Sequence, residues 1–173
     1  MKGILNMNTI IFHNDITPDT IRNLISDIKK IQLENPNEIH INMSSNGGWF
    51  SSAFEAYNFI KNSPIPIHIH NDGHIDSSAL VIYLATPLRT ASINSTFFIH
   101  PPRQHFDKDA TLSIEELENI VLELKNIRND YAKLLDDNTS LFDDGSKLSE
   151  HLFSVGKTFN ATCSSQVGLC LIE

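Results

Sequence analysis

A serine pair and a histidine stand where a hydroxyl and a base can act together. In "NDGHIDSSALVIYLAT", Ser77 and Ser78 end a polar stretch, and an apolar run begins directly after them. His100 closes "NSTFFIHPP", which has the composition of a strand. A serine attacks a carbonyl carbon when a neighbouring base accepts its proton, and histidine is the commonest such base. The sequence therefore predicts Ser77 as nucleophile and His100 as general base.

Two junctions between elements offer backbone N–H groups to a developing oxyanion. The turn in "MSSNGGWFSS" contains Gly47 and Gly48, whose missing side chains let an N–H approach a substrate atom closely. Ser78, at the start of the next predicted helix, supplies a second N–H. The predicted oxyanion hole is formed by the N–H groups of Gly48 and Ser78.

Each of these residues also has a purely structural explanation. Ser77 or Asp76 can be the N-cap of the helix that follows. Glycine pairs commonly mark turns, and His68, His70 and His74 compete for the role of base. No single feature identifies an enzyme.

Short strands and helices alternate along the first half of the chain. Such alternation indicates an α/β fold with a parallel sheet covered by helices. Strands are predicted at 8–13, 38–44, 65–72 and 94–100, and helices at 15–36, 51–60 and 78–86.

A longer helix is predicted at about 113–135, where apolar residues recur every three or four positions. Its apolar stripe needs another surface to cover it, which suggests self-assembly. The polar, turn-rich segment 136–149 is predicted to be the least ordered part of the chain. No linker is evident, so residues 1–173 are expected to form one domain.

Composition excludes several classes of function. The chain has 173 residues, 40% of them apolar, and a net charge of −8, which disfavours nucleic acid and anionic membranes as partners. No apolar run reaches the roughly 20 residues that cross a bilayer, and no secretory signal is visible, so a cytoplasmic location is expected. Cys163 and Cys170 lack the spacing of a zinc site and are expected to be free thiols. The expected chemistry needs no cofactor or metal ion.

Three motifs in this order resemble the ClpP-type proteolytic subunit of the Clp protease family. "INMSSNGG" is similar to the family's "INSPGG" turn, and "GHIDS" places Gly73 and Ser77 at the family's glycine and catalytic serine. "INSTFFIHPP" resembles the "PNSxxMIHQP" strand that delivers the catalytic histidine, here His100. The resemblance extends from residue 8 to about residue 169.

This resemblance implies a ClpP/crotonase-like ββα spiral with a projecting handle helix. Residues 8–112 and 150–173 would form the head, and residues from 113 to about 135 the handle. It also implies a serine endopeptidase that hydrolyses peptides or unfolded proteins. The expected assembly is a homo-oligomeric ring, either a heptamer or a double heptamer.

The sequence departs from the family at the third member of the triad. The family's aspartate position falls on Gly156 or Lys157, and Asp144 or Glu150 are the other carboxylates considered. Asp76, beside the nucleophile, either opposes the oxyanion or contacts a histidine. Only residues 1–7 precede the first strand, where family members carry an axial segment, so a Clp ATPase partner is doubtful.

Three functions therefore compete. The first is an active serine peptidase that uses Ser77 and His100. The second is a ClpP-like structural subunit that lacks the triad aspartate and has no activity of its own. The third is a crotonase-like enzyme acting on acyl-CoA, because that superfamily shares the spiral and a backbone oxyanion hole.

Overall fold

The computed structural model describes residues 8–173. Residues 1–7, on which the expectation about a Clp ATPase rests, lie outside the described residues. Strands and helices alternate along the first part of the chain, up to residue 91, after which two strands follow one another directly; a 3-10 helix lies at Leu148–Phe153. The elements are β1 (Thr9–His13), α1 (Pro18–Leu33), β2 (Ile39–Ser45), α2 (Phe50–Lys61), β3 (Ile67–Asp76), α3 (Ala79–Tyr83), β4 (Arg89–Ala91), β5 (Thr96–Ile99), α4 (Ile114–Asn138), β6 (Lys157–Asn160), α5 (Ala161–Gln166) and β7 (Leu171–Ile172).

The sheet divides at β3, the longest strand. Strands β1, β2, β3, β4 and β7 follow one another in parallel order. The first half of β3 pairs with β4, whereas its last residues pair in parallel with β5, and β5 pairs antiparallel with β6. The end of β3 therefore lies beside the end of β5, which brings Ser77 close to the residues that follow Ile99.

Strand β3 extends beyond the predicted end at residue 72. Residues 73–76 continue the strand, with Ile75 fully buried and Asp76 half-buried. The sequence does not reveal the alternation of buried and exposed residues at this end of β3, because Gly73 and the outward-facing polar side chains are typical of a loop. The helix predicted at 78–86 is correspondingly short, and the five residues of α3 are all buried.

Helix α1 shows how local sequence determines these elements. Thr17 caps its first turn together with Thr20, and Pro18 occupies the position where no backbone N–H is needed. Three residues of α1 at helical spacing are buried against the sheet: Ile21, Leu24 and Ile28.

Helix α4 is anchored only at its inner end. Ser113 and Glu116 form a capping box at its start. Tyr131, Leu134 and Leu135 are buried near its other end, whereas apolar residues of its outer half are exposed. Of the helices that the structure describes, none combines the length and apolar character that a bilayer span requires.

A buried arginine ties the end of α4 to the C-terminal segment. Arg89 donates hydrogen bonds to the carbonyl oxygens of Leu169, Thr86, Asn138 and Gly168, at 2.7–3.3 Å. Arg89 is only 7% exposed, and these hydrogen bonds compensate its guanidinium for the loss of water. The segment 136–149, predicted to be poorly ordered, contains the end of α4 and a turn that leads to the 3-10 helix.

Candidate active site

Ser77 lies in a sharp turn between β3 and α3. Its φ of 55° is in the left-handed region, which costs a non-glycine residue about 1–3 kcal/mol. Its N–H donates to the carbonyl oxygen of Phe98 at 2.9 Å, and its own carbonyl accepts from the Tyr131 hydroxyl at 3.1 Å. The N-cap of α3 is Ser78, whose side chain makes no capping bond, so neither Ser77 nor Asp76 is the cap. The strained turn is typical of a strand-to-helix nucleophile elbow.

The Gly47 turn packs directly against this elbow. A β-carbon on Gly47, whose φ is 89°, would lie 2.6 Å from the Asp76 carbonyl oxygen and 2.7 Å from the Ser77 Cβ. Ile16 holds the turn, since its N–H donates to the Gly47 carbonyl at 2.7 Å and its carbonyl accepts from the Trp49 N–H at 2.9 Å.

The two predicted oxyanion donors are on adjoining segments of this turn and elbow. Within residues 8–173, the N–H groups of Gly48 and Ser78 donate to no acceptor. Ser78 N lies 3.1 Å from the position of a Gly47 β-carbon, so a side chain there would crowd it. Both N–H groups are therefore available to a substrate oxygen.

His100 follows β5 and is held by the next residue of the chain. Its Nδ1 lies 2.8 Å from the carbonyl oxygen of Pro101. A carbonyl only accepts hydrogen bonds, so Nδ1 carries the proton and Nε2 of the neutral ring keeps its lone pair. Burial lowers the pKa of His100, and the Arg103 cation acts in the same direction, while the Pro101 bond and Asp76 oppose them. Ser77 and His100 make no hydrogen bond to each other among the described residues.

Gly156 and Lys157, the two positions that the sequence offered for the family's aspartate, lie where the chain enters β6. Strand β6 pairs Lys157 with Ile99, so the chain just before β6 passes His100. A β-carbon on Gly156, whose φ is 91°, would lie 2.6 Å from the His100 Cβ and 2.8 Å from the Ile99 carbonyl oxygen. Lys157 points its ammonium over the Phe159 ring, at 5.1 Å. Backbone therefore fills the space beside His100, and no side chain fits there without a shift.

Gly156→Asp is expected to damage the protein instead of restoring a triad. The new side chain would clash with His100 and would adopt a left-handed conformation, so the free energy of unfolding should fall by about 2–4 kcal/mol. Denaturant titration measures this loss. Gly145→Asp is the matched control, because Gly145 has a φ of 83° and open space around its missing β-carbon. A stable Gly156→Asp protein with a faster Ser77 reaction would contradict this expectation.

The other carboxylates considered as the third member are engaged elsewhere. Asp144 accepts from the N–H and hydroxyl of Ser146, at 2.9 and 2.6 Å, and Glu150 accepts from the Lys147 N–H. Asp76 instead accepts from the Phe98 N–H at 3.1 Å, on the strand that leads to His100.

The remaining histidines near β3 have partners of their own. His68 interacts with Glu38 and stacks on His40, and His70 contacts Thr90 and Ser92.

His74 lies 3.1 Å from the Ser44 hydroxyl and from the Asn46 amide oxygen. It lines an open polar cleft of about 440 Å³ that also includes His13, Asp15 and Asp72. In residues 8–173 no group of three or more His, Cys, Asp or Glu side chains is arranged to hold a metal ion.

Two contacts of this site were not predicted from the sequence. The apolar spacing of the helix predicts that Tyr131 is a core residue. No sequence pattern predicts that its hydroxyl donates to the Ser77 carbonyl. The Pro101 carbonyl is backbone, which any residue type supplies.

The candidate site combines a serine in a left-handed turn, two N–H groups that donate to no acceptor within residues 8–173, and a histidine whose Nδ1 is bonded to a carbonyl oxygen. Serine peptidases use groups of these types. A model of the Clp protease family matches residues 1–151. The chain belongs to the Clp protease family. The matched residues end before Gly156, so the segment where the family's triad aspartate is expected lies outside the match. No curated protein sequence matches the chain.

A solved structure of the Clp protease family has the same fold. It is that of a point mutant of ClpP1 from Listeria monocytogenes, with a TM-score of 0.79 and 18% sequence identity. The alignment covers 96% of this chain and 91% of that chain. The predicted α/β class, with a ClpP-like fold, is confirmed.

Proposed function

We propose that the chain is a serine endopeptidase in which Ser77 is the nucleophile and His100 the general base. The observation that carries the proposal is the left-handed Ser77 elbow, packed against Gly47 and followed by the free N–H of Ser78. A serine that only capped a helix would not need this strained backbone. Membership of a peptidase family supports the same chemistry.

The proposed reaction is an acyl transfer that passes through a tetrahedral intermediate. Ser77 Oγ attacks the carbonyl carbon of the peptide bond while His100 Nε2 takes the hydroxyl proton. The negative oxygen accepts hydrogen bonds from the N–H groups of Gly48 and Ser78. His100 then protonates the leaving amine, and water hydrolyses the acyl-enzyme with the same histidine as base. In this proposal a side-chain rotation that brings Oγ to Nε2 precedes the attack, because the structure shows no hydrogen bond between these two atoms.

The lowered pKa of His100 keeps its neutral form available at neutral pH, since the ring loses its proton at a lower pH than an exposed histidine. The imidazolium formed during attack is correspondingly less stable. We therefore expect a slow enzyme compared with peptidases that have a carboxylate at the third position.

The test is reaction of the full chain with a fluorophosphonate, followed by intact-mass spectrometry and peptide mapping. The expected result is one adduct per chain, on the peptide that contains Ser77. A folded protein that forms no adduct would contradict the proposal and favour the structural subunit without activity. The crotonase-like alternative predicts acyl-CoA binding, which calorimetry measures.

We also propose that the chain assembles with copies of itself into a ring. The outer half of α4 exposes four apolar side chains, which need a cover: Ile114, Leu117, Val121 and Leu122. Light scattering at micromolar concentration is expected to give a mass several times 19.5 kDa. Leu117→Glu should lower that mass, whereas the exposed polar change Glu118→Gln should leave it unchanged. A monomeric wild-type protein would contradict the proposal.

A further inference from the structure

Asp76 and His100 lie on one face of the divided sheet. Asp76 at the end of β3 pairs in parallel register with Phe98 on β5. Side chains of directly paired residues lie on the same face, and so does the residue two positions further along a strand. His100 is two residues beyond Phe98, so its ring is the diagonal neighbour of the Asp76 side chain.

Phe98 fixes both groups. Its N–H donates to the Asp76 Oδ1 at 3.1 Å, which holds the carboxylate against the edge of β5. Its ring packs against the His100 imidazole in a tilted arrangement, with centroids 4.8 Å apart and planes at 32°. Carboxylate and imidazole are thus both held against one residue, without a hydrogen bond between them in the described residues.

We propose that the Pro101 carbonyl and the Asp76 carboxylate divide the task of the absent triad aspartate. The carbonyl holds the proton on Nδ1 and so fixes the tautomer of the ring. The carboxylate supplies the negative charge that stabilises the imidazolium. Asp76 is a positioning residue in this scheme, which rests on the proposed function of Ser77 and His100. The scheme also accounts for a serine site whose third position is glycine.

The charges around the pair agree with this division. Burial raises the pKa of Asp76, but His74, the Phe98 N–H and His100 all favour its charged form.

The Arg103 cation lowers the pKa of His100, whereas Asp76 raises it. Tyr131, which also lies near Asp76, stays protonated because burial raises its pKa. Lys157, on the strand paired with β5, directs its ammonium to the Phe159 ring. Among the described residues, Asp76 is thus the carboxyl group whose negative charge favours the protonated form of His100.

The experiment uses the full-length protein and its Asp76→Asn variant. Asparagine keeps an oxygen for the Phe98 N–H and removes only the charge. The pKa and tautomer of His100 are measured by nitrogen-15 NMR, and the rate of phosphonylation is measured across pH. Removing the carboxylate should lower the pKa of His100, shift the rising limb of the rate profile to lower pH, and slow the plateau by about tenfold. The lone pair should remain on Nε2 in both proteins.

Asp72→Asn is the matched control, because Asp72 lies on the same strand and contacts His13 instead. It should leave the His100 titration unchanged. An unchanged titration in Asp76→Asn, or a faster plateau, would overturn the proposal, and the faster plateau would show that Asp76 opposes the oxyanion. A lone pair on Nδ1 would overturn the part assigned to Pro101. If the wild type forms no Ser77 adduct, the proposed function fails, and the NMR titration still decides whether Asp76 acts on His100.

Discussion

Ser77→Ala is expected to abolish phosphonylation and to lower any peptide hydrolysis by at least about 10³-fold. In the proposed mechanism the Ser77 hydroxyl oxygen forms the covalent bond, and the hydroxyl of the next residue, Ser78, is fully buried and so inaccessible to the reagent. The fold should survive, since alanine keeps the β-carbon and Ser77 holds its neighbours through backbone N–H and carbonyl groups. Intact-mass spectrometry and a discontinuous peptide assay measure the two losses.

Ser51→Ala is the matched control for the nucleophile. Ser51 is an exposed serine of α2 that takes no part in the proposed site. It should react at the wild-type rate. If Ser77→Ala still formed the adduct, peptide mapping would locate another nucleophile and the assignment of Ser77 would be wrong.

Gly47→Ala should produce the second large effect, on stability and reactivity together. The methyl group would overlap the Asp76 carbonyl oxygen and the Ser77 Cβ, both backbone-fixed, and would need a left-handed conformation. We expect the free energy of unfolding to fall by about 3–5 kcal/mol. The displaced elbow should also lose its reaction with fluorophosphonate. Denaturant titration followed by circular dichroism measures the first effect.

Gly145→Ala separates backbone strain from collision. Gly145 has nearly the same φ, and nothing lies within 4 Å of its missing β-carbon. Its variant should lose only about 1–2 kcal/mol, the cost of a left-handed alanine. Equal losses in the two variants would show that the contact with the elbow contributes nothing.

The sequence predicted the parts of the fold that periodicity encodes. A short apolar run located β1, alternating apolar residues located β2, and the helical spacing of apolar residues located α1 and α4. Strands β4, β6 and β7 were not predicted, because they are too short to show a period and have no run of apolar residues such as the one that located β5, which also has only four residues. The end of β3 was not predicted as strand, because Gly73 and three polar residues are typical of a loop.

The candidate site could be predicted only as residue types in order. Motif spacing proposed Ser77 and His100, and alignment placed the missing aspartate at Gly156 or Lys157. That Gly156 touches His100 depends on the antiparallel pairing of β5 with β6, which connects distant parts of the chain. The contribution of the Pro101 carbonyl could not be predicted, since backbone groups carry no sequence signal.

The site is assembled from segments that are far apart along the chain. Ser77 contacts the Gly47 turn, Phe98 and Tyr131, and His100 contacts Gly156. Contacts between such distant residues form late in folding, because closing long loops costs entropy before any contact stabilises them. We therefore expect the proposed nucleophile to be unreactive in a newly synthesised chain until the sheet and the long helix have docked. The order of folding would then keep the proposed hydrolytic group inactive while the chain is still unfolded.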